Sequence, residues 1–330
     1  MEYRKLGRTG LQLSEIGFGC GSVGGLMVRG ERAEQLKAAA RAIEGGINYF
    51  DTAPSYGDGR SESNLGPVLK ELGAEVLVGT KVEIRSEAFD DIQGAIFRSV
   101  EGSLERLQRD AVDLIQLHTR VATTRRPEGN QLGAEDVLEE VVEAFGSLQR
   151  QGKARFFGIT GMGETAALHQ VIEAGTIYSV QSVYNLLNPS AGIGVPAGFY
   201  AQDFGGFVPK AAERGIGVIV IRALAAGALS GSAERHSTAS GATAPMASSR
   251  EFSSDVEKAG RFRFLVDQGF TEDLVQGSLR FALSNPQVST VLVGISDVAQ
   301  VDEALAAEAK GGLPDGALER VTQVWHEWAE

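Results

Sequence analysis

Cysteine is nearly absent from this 330-residue chain, in which Cys20 is the single copy. An intramolecular disulfide therefore cannot form, and the composition favours a reducing compartment, so we expect a cytoplasmic protein. Long hydrophobic runs are also missing, since no stretch approaches the roughly 18 apolar residues of a membrane-spanning helix. The first ten residues, MEYRKLGRTG, lack the apolar centre of a signal peptide. We therefore predict no association with a membrane.

Basic residues are fewer than acidic ones: the chain has 31 Lys and Arg and 43 Asp and Glu, which gives a formal net charge of −12. No block of basic residues stands out, so a nucleic-acid partner is not expected. A local basic pocket remains compatible with an acidic surface. The chain is 43% hydrophobic and 22% charged, which is ordinary for a globular protein, and it is long enough to bury a full core. The sequence carries no signal of oligomeric state.

Short apolar runs alternate with longer amphipathic stretches along the whole chain. We predict eight strands, near residues 15–19, 47–50, 76–80, 112–117, 156–160, 179–183, 217–221 and 290–293. Helical stretches include residues 31–46, 61–73, 90–107, 135–153, 164–175, 271–285 and 317–330. This order predicts parallel strands with crossover helices, and eight strands favour a closed (β/α)8 TIM barrel over an open sheet.

Three further segments complete the predicted single domain over residues 1–330. Residues 3–6 and 11–13 flank GRTG and predict an N-terminal β-hairpin. The last helix, 317–330, is extra to the eight-fold pattern and is predicted to pack outside. Residues 230–255 are rich in Ser, Ala and Gly, which predicts a mobile loop placed after the seventh strand, where a barrel would carry a lid.

The stretch GFGCGSVGG, residues 17–25, reads G-x-G-x-x-G through Gly19, Gly21 and Gly24. A Rossmann phosphate-binding turn requires a helix at once and an acid about 20 residues later. Here GLMVRGE follows, which is not a helix start, and the acid after the second strand, Asp51, comes about 30 residues after Gly21. We therefore predict a close-packed turn, at which glycine lets another group approach the backbone.

Four chemically capable side chains follow or end three consecutive predicted strands: Asp51, Tyr56, Lys81 and His118. Taken alone, each residue could have a purely structural role. Asp51 could cap a turn, Tyr56 could pack its ring, Lys81 could extend its amine to the surface, and His118 could be a structural imidazole. In a parallel barrel, however, neighbouring strand ends converge at one mouth. An acid, a phenol, an ammonium and an imidazole there form a general acid–base site, in which Lys81 lowers the pKa of the Tyr56 phenol. Such a group would protonate a developing alkoxide.

These residues resemble the aldo-keto reductase superfamily, including its bacterial-type reductases and its sugar dehydrogenase branch. The matching pieces occur in the family's order over nearly the whole chain: KLGRTGLQLSEIGFGC, GINYFDTAPSYG, SESNLGPVL, VGTKV, VDLIQLH, FFGIT, QSVYN, ALAAGALSG and VLVGISDVAQVDEAL. The resemblance implies a barrel whose N-terminal hairpin covers the bottom. It also implies a nicotinamide dinucleotide bound without a Rossmann domain, with NADP(H) expected first and NAD(H) as the other candidate. No metal is expected.

The resemblance also assigns roles residue by residue. Tyr56 would be the general acid in reduction, Lys81 its activator, Asp51 the partner of Lys81, and His118 the group that orients the carbonyl. The residues matching cofactor contacts are Gly19, Cys20, Gly21, Asp51, Thr160, Gln181, Arg222, Leu224, Gly227, Ser230, Gly294, Ser296, Gln300 and Glu303. The segment from Arg222 to Ser230 would embrace the pyrophosphate, and the last four residues would meet the adenosine.

Several positions depart from the family pattern. Gly161 stands where Asn or Arg is common, and Ile221 and Gly21 replace common aromatic residues. Asp297 and Ala304 stand near the expected adenosine site, where an acid would repel a 2′-phosphate. This implies a weakened preference for NADPH, whereas the charge of Arg222 favours phosphate.

The expected activity is reduction of a small carbonyl compound, with two alternatives. The first is oxidation of a sugar at its C1 by a branch of the same family, and the second is a cofactor-sensing binding subunit. A barrel without catalysis would require Tyr56 and Lys81 to lie apart.

Substrate specificity is expected from loops 119–132 and 186–206, together with 230–255. The pair Arg125 and Arg126 is read as an anion site or a solvated loop tip. The aromatic residues Phe199, Tyr200, Phe204 and Phe207 are read as a pocket wall or, preferably, as packing.

Overall fold

In a computed structural model that describes residues 1–241 and 243–328, eight parallel strands close into a barrel. In chain order they are β1 (Ile16–Gly19), β2 (Tyr49–Asp51), β3 (Leu77–Val82), β4 (Val112–Leu117), β5 (Ala154–Thr160), β6 (Ser179–Val183), β7 (Gly217–Ile221) and β8 (Val288–Gly294). Each strand pairs with its sequence neighbour, and β8 closes the ring on β1 through Gly294 opposite Gly19. The predicted (β/α)8 fold is confirmed.

Helices cover the outside of the barrel. They are α1 (Arg32–Glu44), α2 (Arg60–Glu71), α3 (Ile92–Leu107), α4 (Ala134–Asp136, a π-helical Val137–Val141 and Val142–Arg150), α5 (Thr165–Ala174), α6 (Phe207–Glu213), α7 (Leu274–Leu283), α8 (Val298–Ala309) and α9 (Asp315–Glu327). The predicted C-terminal helix is α9. It begins two residues earlier than expected, and its predicted end at 329–330 lies outside the described residues. Short helical turns occupy Leu26–Arg29, Phe252–Ala259 and Phe264–Asp267.

The turn at Leu26–Arg29 corrects one expectation, because the sequence placed the first helical structure near residue 31. Gly25, with a φ of 87°, and Gly30 bound this single turn on either side. Glycines at both ends limit the helix to four residues, which is too short for periodicity to reveal. The turn belongs to a barrel and not to a Rossmann domain, so the reading of the glycine motif stands.

The N-terminal hairpin, Tyr3–Lys5 paired with Gln12–Ser14, closes the bottom of the barrel. Leu6, Leu11 and Leu13 pack inside with four side chains from the strands, Tyr49, Leu114, Ile219 and Leu292. The Arg8 amide donates to the Gly215 carbonyl just before β7 (2.8 Å), which fixes the hairpin to the rim. Burial of these leucines removes the barrel's lower end from water.

At the opposite end, two long segments cross the strand termini. The first, residues 119–133, contains a short two-stranded parallel sheet, Arg120–Ala122 beside Gln131–Gly133. The segment predicted as a mobile loop begins where the turn Ala225–Ser230 ends and runs to the helix at Phe252. Arg29 donates to the Thr238 carbonyl (2.8 Å), and the Ser240 amide donates to the Val23 carbonyl (3.2 Å). These bonds tie the segment to the loop after β1.

None of the helices in residues 1–241 and 243–328 is long and apolar enough to cross a membrane.

Candidate active site

The buried ion pair of Asp51 and Lys81 forms the floor of the barrel mouth. Asp51 is the last residue of β2, and Lys81 lies near the end of β3; their exposed fractions are 3% and 1%. The Lys81 ammonium contacts Asp51 Oδ1 and also donates to the Thr52 carbonyl (2.8 Å). A lysine and a carboxylate this deeply buried are stable only as a hydrogen-bonded pair.

The second oxygen of Asp51 is held by two further side chains. The Tyr49 hydroxyl donates to Oδ2 (3.1 Å), and so does the Gln181 amide (2.8 Å), from the other side of the barrel. Gln181 Oε1 in turn accepts from the Thr160 hydroxyl (3.4 Å). Gln181 and Thr160, both predicted to contact the cofactor, therefore also belong to the network that fixes Asp51.

Tyr56 and His118 stand above this floor. The Lys81 ammonium lies 4.9 Å from the centre of the Tyr56 ring. The imidazole of His118 meets that ring edge-on, with the centroids 5.8 Å apart and the planes at 89°. The His118 amide donates to the Val82 carbonyl (2.7 Å), which places the imidazole directly beyond β4. All four predicted side chains are thus brought together at one mouth, as expected.

The electrostatics of the mouth depart from the expectation at Tyr56. Burial raises the pKa of the Tyr56 phenol and outweighs the opposing effect of Lys81, so the pKa lies above its usual value and not below it. Burial pulls the pKa of Lys81 down, but Asp51 and then Tyr56 outweigh that effect and leave it raised. Burial, followed by the charge of Lys81, lowers the pKa of His118 to about 3. At neutral pH the site therefore holds a neutral phenol, a neutral imidazole and an ion pair.

Gly19, Cys20 and Gly21 line the mouth beside this centre. Gly19 lies opposite Asp51 in the β1–β2 register, and the Cys20 amide donates to the Asp51 carbonyl (2.9 Å). A Cβ at Gly21 would stand 3.7 Å from the Tyr56 ring, which is van der Waals contact, so Gly21 lies directly beside that ring. The Ser61 hydroxyl at the start of α2 holds the Cys20 carbonyl (2.9 Å). The SESNLG segment therefore anchors the turn after β1.

A cavity of about 410 Å³ lies beside the ends of β7 and β8. We call it the distal cavity. Eight of the predicted cofactor residues line it: Arg222, Leu224, Gly227, Ser230, Gly294, Ser296, Gln300 and Glu303. Its outer wall comes from the Ser- and Ala-rich segment through Glu234, Arg235 and His236. The sequence did not single out these three, since nothing in their spacing shows which cavity a long loop will cover.

The turn after β7 has an unusual backbone. Arg222, Ala225 and Ala226 have φ values of 59°, 46° and 60°, a region that side-chain-bearing residues rarely adopt, and Gly227 has 100°. Backbone strain of this kind persists where the surrounding structure enforces it, commonly at ligand sites. Within the described chain, the buried Nη1 of Arg222 has no hydrogen-bond partner. A strained turn with an unmatched guanidinium donor fits an anionic group such as pyrophosphate.

The far end of the distal cavity is acidic. Burial raises the pKa of Glu303, with smaller contributions from Asp273 and Asp297. Asp297 caps α8 by accepting from the Gln300 amide (3.0 Å), and its other oxygen lies 3.2 Å from His236 Nε2. Acidic groups at this end contrast with the two arginines, Arg222 and Arg235, at the other.

Other sequence candidates are engaged elsewhere. Arg125 forms a two-bond ion pair with Asp136 (2.7 and 3.0 Å), and Arg126 lies 2.6 Å from Glu164, so neither is a free anion site. Both residues are exposed, as expected of a solvated loop tip. Of the aromatic residues, Phe207 is buried against the barrel, and the Tyr200 hydroxyl donates to the Leu187 carbonyl (2.8 Å). These residues pack the loop onto the barrel, as preferred. Phe204 is also buried, although its edge reaches a second cavity.

Comparison with known proteins agrees with this geometry. A model of the Aldo/keto reductase family matches residues 15–326. The chain is 29% identical over 315 residues to L-galactose dehydrogenase of Arabidopsis thaliana, covering 93% of this chain and 88% of that protein. It is 27% identical over 327 residues to a probable voltage-gated potassium channel subunit beta of Oryza sativa subsp. japonica, covering 93% and 91%.

Among solved structures, the holo form of aldo-keto reductase AKR11C1 from Bacillus halodurans has the same fold. The two chains match over 100% of both lengths with a TM-score of 0.73 at 24% identity. The family match spans nearly the whole chain, from the start of the barrel to its last helix. The chain therefore belongs to the aldo/keto reductase family, a family of oxidoreductase enzymes.

Proposed function

We propose that this protein reduces aldehydes or ketones to alcohols with a nicotinamide dinucleotide, and that Tyr56 is the general acid. One observation supports this above the others. Asp51, Lys81, Tyr56 and His118 meet at a single barrel mouth that adjoins the distal cavity, and eight residues expected to hold the dinucleotide line that cavity. Acid–base side chains and a cofactor-sized cavity at the carboxyl ends of barrel strands are the arrangement that such enzymes need.

The described residues fit a dinucleotide. The strained turn from Arg222 to Gly227 and the unmatched Arg222 donor would hold the pyrophosphate, while Ser296, Gln300 and Glu303 would meet the adenosine ribose. Gly19, Cys20 and Gly21 lie at the mouth beside Asp51 and Tyr56 and would contact the nicotinamide end. When bound, the dinucleotide supplies the hydride for the carbonyl carbon.

The proton for the carbonyl oxygen would come from Tyr56, whose raised pKa keeps the phenol protonated at neutral pH. Lys81 stabilises the phenolate that remains, because its ammonium lies against the ring and is held there by Asp51. His118 is neutral, and the Ser55 hydroxyl lies 3.3 Å from its Nδ1. Donation from Ser55 to Nδ1 would leave the proton on Nε2, free to orient the substrate oxygen.

We propose NADP(H) as the principal cofactor, with NAD(H) also used. Arg222 and Arg235 supply positive charge to the distal cavity, which favours a phosphate-rich ligand. Glu303 and Asp297 would repel a 2′-phosphate and accept hydrogen bonds from a 2′-hydroxyl instead. These opposing charges predict a smaller preference for NADPH than the arginines alone would give.

Turnover of NADPH and NADH with a panel of small aldehydes tests both statements. We expect oxidation of either cofactor with at least one aldehyde, and KM values for the two cofactors that differ by about tenfold or less, or about 1.4 kcal/mol. A much larger preference for NADPH would contradict the role given to the acids. Absence of turnover with every carbonyl, despite tight cofactor binding, would contradict the reductase assignment.

Oxidation of an aldose is the second candidate, favoured by the similarity to L-galactose dehydrogenase over 93% of this chain. In that direction Tyr56 would act as the phenolate, stabilised by the Lys81 ammonium, and would accept the proton of the sugar C1 hydroxyl. Faster oxidation of L-galactose or L-fucose with NAD(P)+ than reduction of aldehydes would favour it. Cofactor binding without turnover of either kind would favour a sensing subunit, for which the similarity to a potassium channel subunit is the only support in the comparisons above.

A further inference from the structure

A second cavity of about 420 Å³ opens above the ends of β5 and β6. Gly161 and Met162, directly after β5, form part of its wall, and Thr243 to Ala247 of the Ser- and Ala-rich segment form another part. Arg222 lines both this cavity and the distal cavity. The second cavity therefore adjoins the distal cavity at Arg222, whose charge also acts on the Tyr56 phenol.

Charge distinguishes this cavity from the rest of the molecule. Two arginines, Arg120 and Arg222, line it, and no Asp or Glu does so in the described part of the chain. The protein as a whole carries an excess of 12 acidic side chains, and the distal cavity contains Glu234 and Glu303. We call this second space the basic cavity.

Arg120 is the side chain in the basic cavity that remains available. Within residues 1–241 and 243–328 it forms no ion pair, whereas Arg125 and Arg126 of the same loop are both neutralised by acids. Its backbone is fixed, because Val121 exchanges hydrogen bonds with Met162 and Glu164 (2.9 and 2.8 Å). Arg120 follows His118 by two residues, beyond a bend at Thr119. It lines the basic cavity together with Gly161 and Met162, which directly follow β5, so an oxyanion bound there would lie at the mouth end of the barrel.

We propose that the basic cavity binds an oxyanion group of the carbonyl substrate, a carboxylate or a phosphate ester, and that Arg120 recognises it. The planar guanidinium can bind either group through two parallel hydrogen bonds. Arg222 adds positive charge from the cofactor side. The inference depends on the proposed reductase activity for its substrate and adds the chemical class of that substrate.

The test compares carbonyl compounds that differ only in charge. Succinic semialdehyde is paired with butanal, and glyceraldehyde phosphate with glyceraldehyde, so that the two arms distinguish carboxylate from phosphate. We expect the wild type to favour one charged member over its neutral partner by about ten- to one-hundredfold in kcat/KM, mainly through KM. Arg120→Gln should remove that preference and leave the neutral aldehydes within about twofold.

Two further variants distinguish recognition of the oxyanion by Arg120 from a non-specific loss of structure or activity. Arg120→Lys should retain part of the preference, because it keeps the charge but loses the paired hydrogen bonds. Arg126→Gln, on the same loop but paired with Glu164, should leave the preference unchanged. A wild type that treats charged and neutral partners alike, or a preference that survives Arg120→Gln, overturns the proposal.

Binding without turnover keeps this inference separate from the proposed function. Succinate and, in a separate titration, glycerol phosphate are titrated by calorimetry into wild type and Arg120→Gln in the presence of oxidised dinucleotide. Binding by the wild type that weakens tenfold or more in Arg120→Gln supports the basic cavity even where no carbonyl is reduced. Equal binding by the two proteins, or none by either, contradicts it.

Discussion

The two ends of this barrel are built from opposite kinds of residue. At the bottom, Leu6, Leu11 and Leu13 of the hairpin fill the barrel with apolar side chains. At the mouth, a comparable degree of burial surrounds Asp51 and Lys81, which are 3% and 1% exposed. One end buries hydrocarbon and the other buries charge inside the same eight strands.

This difference shows where the sequence specifies stability and where it specifies chemistry. Burial of leucine stabilises the fold directly, because apolar surface leaves water. Burial of an ion pair contributes little by itself, since desolvation offsets the attraction, but it keeps a charge in a fixed place. Tyr49 joins the two regions: its ring packs with the hairpin leucines, and its hydroxyl holds Asp51. Substitutions at the two ends should therefore affect different measurements.

The largest effect is expected from Lys81→Met at the mouth. Removal of the ammonium leaves the buried Asp51 carboxylate without its counter-charge, which should lower the free energy of unfolding by about 3–5 kcal/mol. Reduction should slow by about one-hundredfold or more, because Tyr56 loses its activator. Denaturant unfolding and steady-state kinetics measure the two effects.

The matched control is the double variant Asp51→Asn/Lys81→Met, which removes both charges. It should recover part of the lost stability but none of the lost activity. A Lys81→Met protein as stable as the wild type would show that the pair is not a buried, mutually dependent unit.

The second effect is expected at the bottom. Leu13→Ala should lower the free energy of unfolding by about 2–5 kcal/mol, since Leu13 is fully buried and a cavity would remain. Because the hairpin lies at the end remote from Tyr56, kcat/KM should stay within about twofold at a temperature at which the variant is folded. Leu13→Met, which conserves volume, should cost less than about 1.5 kcal/mol. A Leu13→Ala protein that loses activity without losing stability would contradict the proposal that the bottom of the barrel affects stability and the mouth affects chemistry.

The third effect, which is smallest near neutral pH and grows only in acid, is a pH dependence of stability that arises at His118. In the unfolded chain a histidine has a pKa of about 6.5, whereas the folded protein lowers the pKa of His118 to about 3. Between these values the unfolded chain binds the extra proton, so this contribution to stability falls as pH drops from about 6.5 toward 3. The slope should be up to about 1.4 kcal/mol per pH unit. Above about pH 6.5 the contribution is constant.

His118→Gln isolates this component, because glutamine does not titrate. The difference in unfolding free energy between wild type and His118→Gln should grow in favour of the wild type as pH rises through that window. Parallel stability curves for the two proteins would rule out the depressed pKa, as would an NMR titration of His118 near pH 6.5.

The sequence predicted the barrel and the four residues at its mouth for a physical reason. Apolar runs of strand length repeat eight times, and the carboxyl ends of parallel strands must meet, so residues at those ends converge whatever their distance in sequence. The family resemblance then supplied the candidate cofactor residues, of which the eight assigned to the segment after β7 and to the adenosine end line one cavity.

The remaining features depend on tertiary structure. The bond from Gln181 to Asp51 crosses the barrel and follows from strand register, which single-strand patterns do not contain. The raised pKa of Tyr56 reflects the balance of burial against Lys81, and only the folded surroundings determine it. Tyr49 could have been found, because alternate residues of a strand share a face and Tyr49 precedes Asp51 by two.

The contacts of the arginines in the loop 119–132 likewise depend on tertiary structure and could not be predicted from the sequence. The sequence singled out Arg125 and Arg126 as neighbours, yet both pair with acids from other elements, while Arg120 lines the basic cavity. The identity of the acids that neutralise a loop arginine is decided by the helices that pack beside it. For this reason the sequence did not single out Arg120 as a residue that lines a cavity.

Single-turnover oxidation of bound NADPH by an aldehyde, in wild type and Tyr56→Phe, tests the central claim most directly. The phenylalanine keeps the ring against Lys81 and His118 and removes only the proton donor. We expect a hydride-transfer rate lower by about 10²- to 10⁴-fold in Tyr56→Phe, with unchanged NADPH affinity and unchanged unfolding free energy. A Tyr56→Phe protein that binds NADPH and oxidises it at the wild-type rate would show that the general acid lies elsewhere.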